Sequence, residues 1–541
     1  MEKRLITAAL PYVNNLPHLG HIVGCHLPAD IFSRFCRLKG YKTLFVGGTD
    51  ENGSTSEIAA EEIGVDINVY CDKLYEEHKK IYDWFLISYD NFSRTSKKIH
   101  HETTQDFFKK LYSRGFVDVG TMKVFYSPFE KRFLADRYVK GTCPKCGYGE
   151  ANGDQCEKCT SVIDPLQLIN PVSIISGTPL EIKEVEHLFL RLDKLSKNLE
   201  EWLKEKKDIW REQVISLALG WIKEGLKPRC ITRDLKHGVK VPLKGFEEKV
   251  FYVWFDAPIG YISSTKEATK EWESFWKDKN TKIYHFLGKD NIPFHTIFWP
   301  GMLIGNGEFN LPYFVEGLQY LNFEGEKFSK SKKRGVFCEG IIKSEADPDI
   351  FRAYLSFIMP DTSDSEFSWE DFQRRINNEL IGNLGNFINR TISFAYSKLN
   401  GEIARPKELR EKDKIFIEEI NKSILAIEEN LEKVRLRNAF QEIFSISAKA
   451  NKYFNDEEPW KKIKIEKERT EEVIYICLEL CRIISLIISP YLPSTSKKIR
   501  EQLNLGEIKE SCWKEESTLL KEKVYKVNKP KILFKQIDKE Y

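Results

Sequence analysis

The stretch Leu5–His21, LITAALPYVNNLPHLGH, decides how the chain is read. Leu5 to Leu10 is a short apolar run, long enough for one buried strand. Pro11, Asn14, Asn15 and Pro17 then form a turn, and His18-Leu19-Gly20-His21 opens a helix. Strand, loop and helix N-terminus together bind phosphate, because unpaired backbone N–H groups and the helix dipole converge there. His18 and His21 are three residues apart and share a helix face. Gly20 has no side chain to hold a flat base away from the backbone. The same residues also suit a polar surface turn, and this stretch alone does not separate the two readings.

Downstream the pattern repeats. A proline inside a helix removes a hydrogen bond, so Pro28 is expected to break the first helix and sit in the first turn of the next. That helix should run to about Leu38 and stop at Gly40. Leu44 to Val46 reads as a second buried strand, opening into a Gly-rich turn, Gly47 to Gly53. Two strand–turn–helix units predict a doubly wound parallel sheet of the Rossmann-like α/β class, with ligands at the carboxyl ends of the strands. Asp50 stands at such an end, as a helix N-cap or as a ligand group. Val250 to Phe255 reads as a central strand, and Ile283 to Leu287 as another that ends in Gly288-Lys289-Asp290. Pro293 to Trp299 should be helical, with His295 and Trp299 on one face. The aromatic residues here suit a plain core as well as a pocket.

The chain has 541 residues, more than one hydrophobic core usually serves, so two to four domains are expected. With 41% hydrophobic and 30% charged residues it has a soluble globular composition. A net charge of +3 neither requires nor excludes a nucleic-acid partner. The N-terminus is not a convincing signal peptide. No uncharged apolar stretch spans a membrane, and Ile474 to Leu492, which carries Glu479 and Arg482, reads as a buried helix.

Four of the 12 cysteines form two C-x-x-C pairs, Cys143/Cys146 and Cys156/Cys159, nine residues apart in Gly-rich sequence. This spacing suits tetrahedral zinc with four thiolates, the alternative being a redox or vestigial pair. With every position taken by cysteine there is no place for a reactive water, so the metal would be structural. Cys477 and Cys481 lie one helical turn apart in an apolar segment and read as core. From about Gln373 onward, helical spacing as in Ile415–Leu431 and Val473–Ile488 predicts an α-helical bundle.

A second signature follows far from the first, Glu326-Lys327-Phe328-Ser329-Lys330-Ser331-Lys332, which alone would pass for a solvated basic loop. In this order, PHLGH and KFSKS resemble the HIGH and KMSKS signatures of class I aminoacyl-tRNA synthetases, and the chain from about Leu5 to about Asp538 is most similar to the methionyl-tRNA synthetases. One departure is that Lys332 and Lys333 intervene before Arg334-Gly335, which reads as a variant of the loop's length.

The resemblance implies five parts. These are catalytic halves 1–114 and 231–325, a zinc-knuckle connective insert 115–230, a loop and linking region 326–375, and a helical anticodon-binding domain 376–541. It assigns His18, His21, Lys327 and Lys330 to catalysis. ATP falls to His18, Gly20, His21, Gly288, Asp290 and Lys330. Methionine falls to Leu10, Tyr12, Asp50 (for the ammonium), Trp254, Ala257, Pro258, Tyr261, His295 and Trp299. The anticodon falls to Asn378, Pro459 and Trp460. Implied partners are L-methionine, ATP with Mg2+, and initiator and elongator tRNA for methionine, in a cytoplasmic monomer. One zinc is expected, since Asp164 to Gly177, where some relatives carry a second knuckle, has no cysteine. Two rivals stay open. A class I synthetase for leucine, isoleucine or valine would need a larger editing insert, and one for cysteine would need zinc in the amino-acid pocket. A non-catalytic tRNA-binding paralogue would have no use for intact signatures.

Overall fold

Leu5 to Ala8 are buried because β1 (Lys3–Ala8) is the middle strand of a five-stranded parallel sheet. The computed structural model describes residues 2–538 apart from 154, 155, 157, 160, 162, 328–334 and 345. β2 (Lys42–Thr49) pairs with one edge of β1 and carries β3 (Asn91–Arg94) beyond it. β4 (Thr281–Gly288) pairs with the other edge and carries β5 (Phe314–Leu318). The spatial order is therefore β5-β4-β1-β2-β3. The strand order reverses between β1 and β4, and ligands of open α/β sheets bind at that crevice. Helices cover both faces, which is why the strands read as unbroken apolar runs.

Two expectations need correction. Pro28 does not break the first helix. The α-helical turn Leu19–His21 passes through a π-helical turn, Ile22–His26, into α1 (Leu27–Lys39) without interruption. The five-residue spacing of the π turn, closed by Leu27 N–H to the Ile22 carbonyl, absorbs the mismatch just before the proline, which then fits the first turn of α1. Gly40 ends α1 in the left-handed conformation, as expected. Secondly, Val250–Phe255 is not a central strand. Only Val250–Phe251 is extended, paired with Thr232–Arg233, and Val253–Asp256 is helical. A short apolar run cannot be told from a buried helix by periodicity alone.

The chain between β3 and β4 makes a long hairpin, Val117–Ser127 on Glu181–Leu190, and a small three-stranded sheet around the cysteines. Tyr138 Oη donates to Glu57 Oε2 at 2.8 Å and ties this insert to the helix Ser54–Glu62. The helical part contains α2 (Asn386–Lys398), α3 (Glu411–Glu432), α4 (Leu436–Glu457) and α5 (Lys467–Ile488). α5 is buried from Val473 to Ile488, Cys477 and Cys481 included, as an all-round apolar helix should be. One continuous core joins the bundle to one face of the parallel sheet. No helix among the described residues is long and apolar enough to cross a membrane.

Candidate functional site

The helix after β1 begins with a reciprocal cap built from the two histidines. His18 Nδ1 accepts from Gly20 N–H at 3.1 Å, and His21 Nδ1 accepts from His18 N–H at 3.1 Å. A side chain at position 20 would stand 2.8 Å from the His18 ring, so only glycine permits this cap. Acceptance at Nδ1 fixes both tautomers, and the proton sits on Nε2 of each ring. Enclosure by the cleft lowers His18 to about 2, with help from His21, and His21 to about 4, with help from His78. His21 is nonetheless solvent-exposed, and its neutral form rests first on the Nδ1 acceptance. Both rings, 3.9 Å apart, are thus neutral N–H donors at physiological pH.

The described residues on either side of the second loop are paired with the rest of the fold. Glu326–Lys327 pairs with Leu321–Phe323, and the chain returns as Val336–Phe337 directly onto the first signature. There Leu19 N–H donates to the Val336 carbonyl at 3.3 Å, and His18 and Phe337 form a backbone bridge. Lys327 therefore stands at the root of the second loop, while Lys330 lies outside the described residues. At the end of β4, Gly288 leads into the turn Lys289–Asn291, with Asp290 exposed and bonded to the Tyr320 hydroxyl.

Asp50 is not a helix cap, since Gly53 holds that position before Ser54–Glu62. It lies at the carboxyl end of β2, held by Asp50 N–H to the Pro11 carbonyl at 2.8 Å, and is 2% exposed. Burial first, then the neighbouring Asp256 and Glu51 carboxylates, push its carboxyl well above the ordinary range. Its Oδ1 is buried with no hydrogen-bond partner among the described residues, as are Asn52 Oδ1 and Asp256 Oδ1. Arg94 pairs with Glu51 at 2.7 Å and His100 Nε2 lies 3.2 Å from Asp256 Oδ2, so among the described residues it is Asp50 Oδ1 that is left without a donor. Tyr12 bridges to Asp50 through the backbone, and its hydroxyl accepts from Trp254 Nε1 at 3.0 Å. Tyr12 and Trp254 line a cavity of about 310 Å³ that reaches the insert through Tyr252, Arg229, Cys230 and Arg233.

The other residues assigned to methionine stand deeper. Leu10 packs against the Gly260 backbone, beside the turn Ala257–Ile259 that holds Pro258. His295 Nδ1–H donates to the Asn291 carbonyl at 3.0 Å, so its Nε2 accepts from Tyr261 Oη at 2.8 Å. Burial lowers His295 to about 4. Trp299 is fully buried against Phe107 and Trp276, and does not reach the cavity wall that Tyr12 and Trp254 share.

The four sulfurs of Cys143, Cys146, Cys156 and Cys159 lie within 4.8 Å of one another, with Cys143–Cys159 at 3.9 Å and Cys146–Cys156 at 3.6 Å. Tetrahedral zinc with Zn–S bonds of about 2.3 Å requires sulfurs about 3.8 Å apart, so the set fits. The Ser161 hydroxyl and backbone N–H stabilise the Cys159 thiolate and lower that thiol to about 6.

In the bundle, Trp460 follows a turn in which Glu458 takes a left-handed conformation and Pro459 starts the next helix. Its ring is 44% exposed, stacks on Phe454 at 5.9 Å, and lies 5.7 Å from the Arg390 guanidinium. Arg390, also bonded to Asn455 at 2.8 Å, is absent from the sequence-derived set. A lone arginine on an amphipathic helix carries no signal until the fold sets it beside a tryptophan. Asn378 is exposed but sits twelve residues before Arg390 on consecutive helical segments, roughly 18 Å along the axis, so it does not share the Trp460 spot.

The parallel sheet, the neutral histidine cap and the second loop rooted against it define a nucleotide-binding catalytic fold of the class I synthetase type. Family models match accordingly, "tRNA synthetases class I (M)" over residues 4–392 and "Anticodon binding domain of methionyl tRNA ligase" over 403–541. The chain belongs to the methionyl-tRNA synthetase family. It is 44% identical over 510 residues to the methionine–tRNA ligase of Christiangramia forsetii, covering 93% of this chain and 74% of that one. It is 40% identical over 543 residues to the cytoplasmic enzyme of Saccharomyces cerevisiae, covering 99% and 72%. The fold is also similar to that of Mycobacterium tuberculosis methionyl-tRNA synthetase in complex with methionyl-adenylate, with a TM-score of 0.83, 25% identity, and 99% and 100% coverage.

Proposed function

We infer that the chain joins methionine to ATP, giving methionyl-adenylate and pyrophosphate, and then transfers the methionyl group to the 3′ end of methionine tRNA, initiator and elongator alike. The observation that carries this reading is the backbone contact of Val336 and Phe337, just past the second signature in sequence, with Leu19 and His18 of the first. The attacking methionine carboxylate is already an anion, so no protein base is needed. What the step needs is alignment and charge stabilisation.

In this proposal His18 and His21 donate Nε2–H to the ATP phosphates, and Gly20 lets the adenosine approach the backbone. Gly288 and Asp290 face the ribose. Lys327 and Lys330 balance the charge of the departing pyrophosphate, a role suited to flexible point charges, and Mg2+ arrives bound to ATP. Asp50 takes the methionine ammonium, which supplies a donor to its buried Oδ1. Tyr12 and Trp254 wall the pocket. Leu10, Ala257, Pro258, Tyr261 and His295 form its deeper lining around a polarizable thioether, and Trp299 backs that lining from the core. Cys143, Cys146, Cys156 and Cys159 would hold one zinc, which would pin the insert and supply no reactive water. Trp460, presented by Pro459 and braced by Arg390, stacks on an anticodon base, and Asn378 contacts the tRNA farther along.

We divide the chain at 1–114, 115–230, 231–325, 326–375 and 376–541 on the same reading, with β1 to β3 in the first part and β4 and β5 in the third. A cytoplasmic monomer completes the proposal. The decisive test is ATP–pyrophosphate exchange, which methionine should drive far above leucine, isoleucine, valine or cysteine. Equal exchange with leucine would refute it.

A further inference from the structure

Cys230 stands on the short strand Arg229–Cys230, paired antiparallel to Glu181–Leu190 with Cys230 opposite Phe189. That register sets Thr232 across from His187, on the same face as Cys230, because side chains two apart share a face. The contacts agree. Thr232 Oγ1 lies 2.9 Å from His187 Nδ1 and accepts from Leu188 N–H at 3.1 Å. His187 is 1% exposed. Its Nε2 lies 3.2 Å from Asp234 Oδ2 but off line, and finds no well-formed hydrogen bond among the described residues. Asp234 is itself held by Lys249 Nζ at 2.5 Å. Cys230 Sγ donates to the Thr232 carbonyl at 3.4 Å, so thiol, imidazole and carboxylate are gathered around Thr232.

Cys230 is half-buried, is in no disulfide, and opens on the cavity of about 310 Å³ whose other walls include Tyr12, Tyr252 and Trp254. Arg229 and Arg233 line the same cavity. Their guanidiniums lie over aromatic faces, Arg233 on Tyr252 at 3.9 Å and Arg229 on Phe298 at 5.6 Å. Burial alone would raise the thiol, but His187 and the Arg233 charge outweigh it and leave Cys230 below the ordinary thiol range. Burial likewise opposes the charge on His187, yet Asp234 and Cys230 outweigh it, and the imidazole is raised. Lys249 acts weakly against it. A lowered thiol in a cationic, partly enclosed setting is the environment of reactive cysteines.

We propose that Cys230 is a thiol-exchange site for a small anionic disulfide, with His187 as proton donor and the Arg229 and Arg233 charges attracting the disulfide's carboxylates. The Cys230 thiolate attacks one sulfur of the disulfide. A new S–S bond forms to Cys230 as the old one breaks, and the departing thiolate takes the proton of the His187 imidazolium. The Cys230 sulfur is oxidised and the leaving sulfur reduced, so no further oxidant enters. The attached group then fills the cavity that Tyr12 and Trp254 border, which makes the site a reversible block on amino-acid binding.

The test uses the full-length, zinc-loaded protein and oxidised glutathione. Peptide mass mapping should find one glutathionyl group on the fragment holding Cys230. Methionine-dependent pyrophosphate exchange should fall roughly tenfold and return on reduction with dithiothreitol. In Cys230→Ser, and in Cys230→Ala, exchange should be the same before and after glutathione disulfide. His187→Gln should slow adduct formation roughly tenfold at neutral pH, since both thiolate fraction and leaving-group protonation suffer. Absence of an adduct on that fragment of the wild-type protein overturns the proposal whatever the variants do. So does equal loss of exchange in Cys230→Ser, or zinc release in step with inactivation, which would place the reaction in the knuckle. Because the adduct is read by mass, its absence is distinct from a failure of the methionine reading.

Discussion

Replacing Trp460 by alanine separates a tRNA-reading bundle from a merely structural one. The indole is 44% exposed and offers its outer face to solvent, while the inner face rests on Phe454 and Arg390 lies alongside. Losing the aromatic stack costs about 0.5–1.5 kcal/mol, and losing the cation–π contact about 0.5–1 kcal/mol. Together these leave a folded protein, because a domain's stability is about 5–15 kcal/mol. A base stacked on the outer face contributes about 1–3 kcal/mol, which is a roughly 5- to 150-fold loss in kcat/KM for tRNA at about 1.4 kcal/mol per decade. The assay is aminoacylation over a range of tRNA concentrations beside tRNA-independent pyrophosphate exchange on the same preparation. Aminoacylation should fall and exchange should hold, since Trp460 belongs to the helical bundle and the histidine cap to the parallel-sheet domain. Trp460→Phe should recover most of the loss, because a π face remains. A parallel fall of both activities, or none in aminoacylation, would refute the stacking role.

Asp50→Asn should raise KM for methionine about 30-fold or more with kcat less affected, the loss of about 2 kcal/mol expected when a buried charge pair is broken; an unchanged KM would exclude Asp50 as the ammonium partner. Cys146→Ser should lose the zinc that metal analysis finds at about one per wild-type chain, and full retention would place the metal elsewhere. Lys330→Ala should slow adenylate formation while leaving methionine affinity intact, because its charge matters as pyrophosphate develops; an effect confined to KM for methionine would contradict this. His295 has its pKa lowered by burial to about 4 in the folded state. The unfolded chain therefore binds a proton near pH 6.5 that the folded chain refuses, and stability drains as pH falls from there towards 4. Comparing wild type with His295→Gln by denaturant unfolding should show a pH-dependent difference of about 1 kcal/mol between neutral pH and pH 5.5, and parallel profiles would exclude a buried neutral imidazole.

Much of the sheet was legible because β1, β2 and β4 are buried on both faces and leave unbroken apolar runs at Leu5, Leu44 and Ile283. A fourth run of that kind, Val250–Phe255, deceived for the same reason, since an apolar hexapeptide fits a buried helix as well. The histidine cap could be guessed from PHLGH, but its chemistry could not. That each Nδ1 serves as a backbone acceptor, and that both rings are consequently neutral donors, depends on sub-ångström geometry around Gly20. Pro28 misled because a π turn stores the extra residue that a strict α-helix would have to reject. Arg390 and the Cys230–His187–Asp234 group were invisible, since Arg390 and Trp460, and His187 and Cys230, are far apart in sequence and none is unusual alone.

The parallel sheet has a temporal consequence. β1 is made first, yet the strand that covers its second edge, β4, follows about 270 residues later in the chain. At about 5–20 residues per second, the ribosome needs roughly 15–50 s to supply that partner. Throughout that interval β1 can pair with β2 alone, and its other edge carries a row of unpaired amides flanked by Leu5 and Ile6. Such an edge is a template for pairing with a neighbouring chain. The nascent half-sheet is therefore the aggregation-prone stage of this protein's life, and the insert and its cysteines are synthesised entirely within that window.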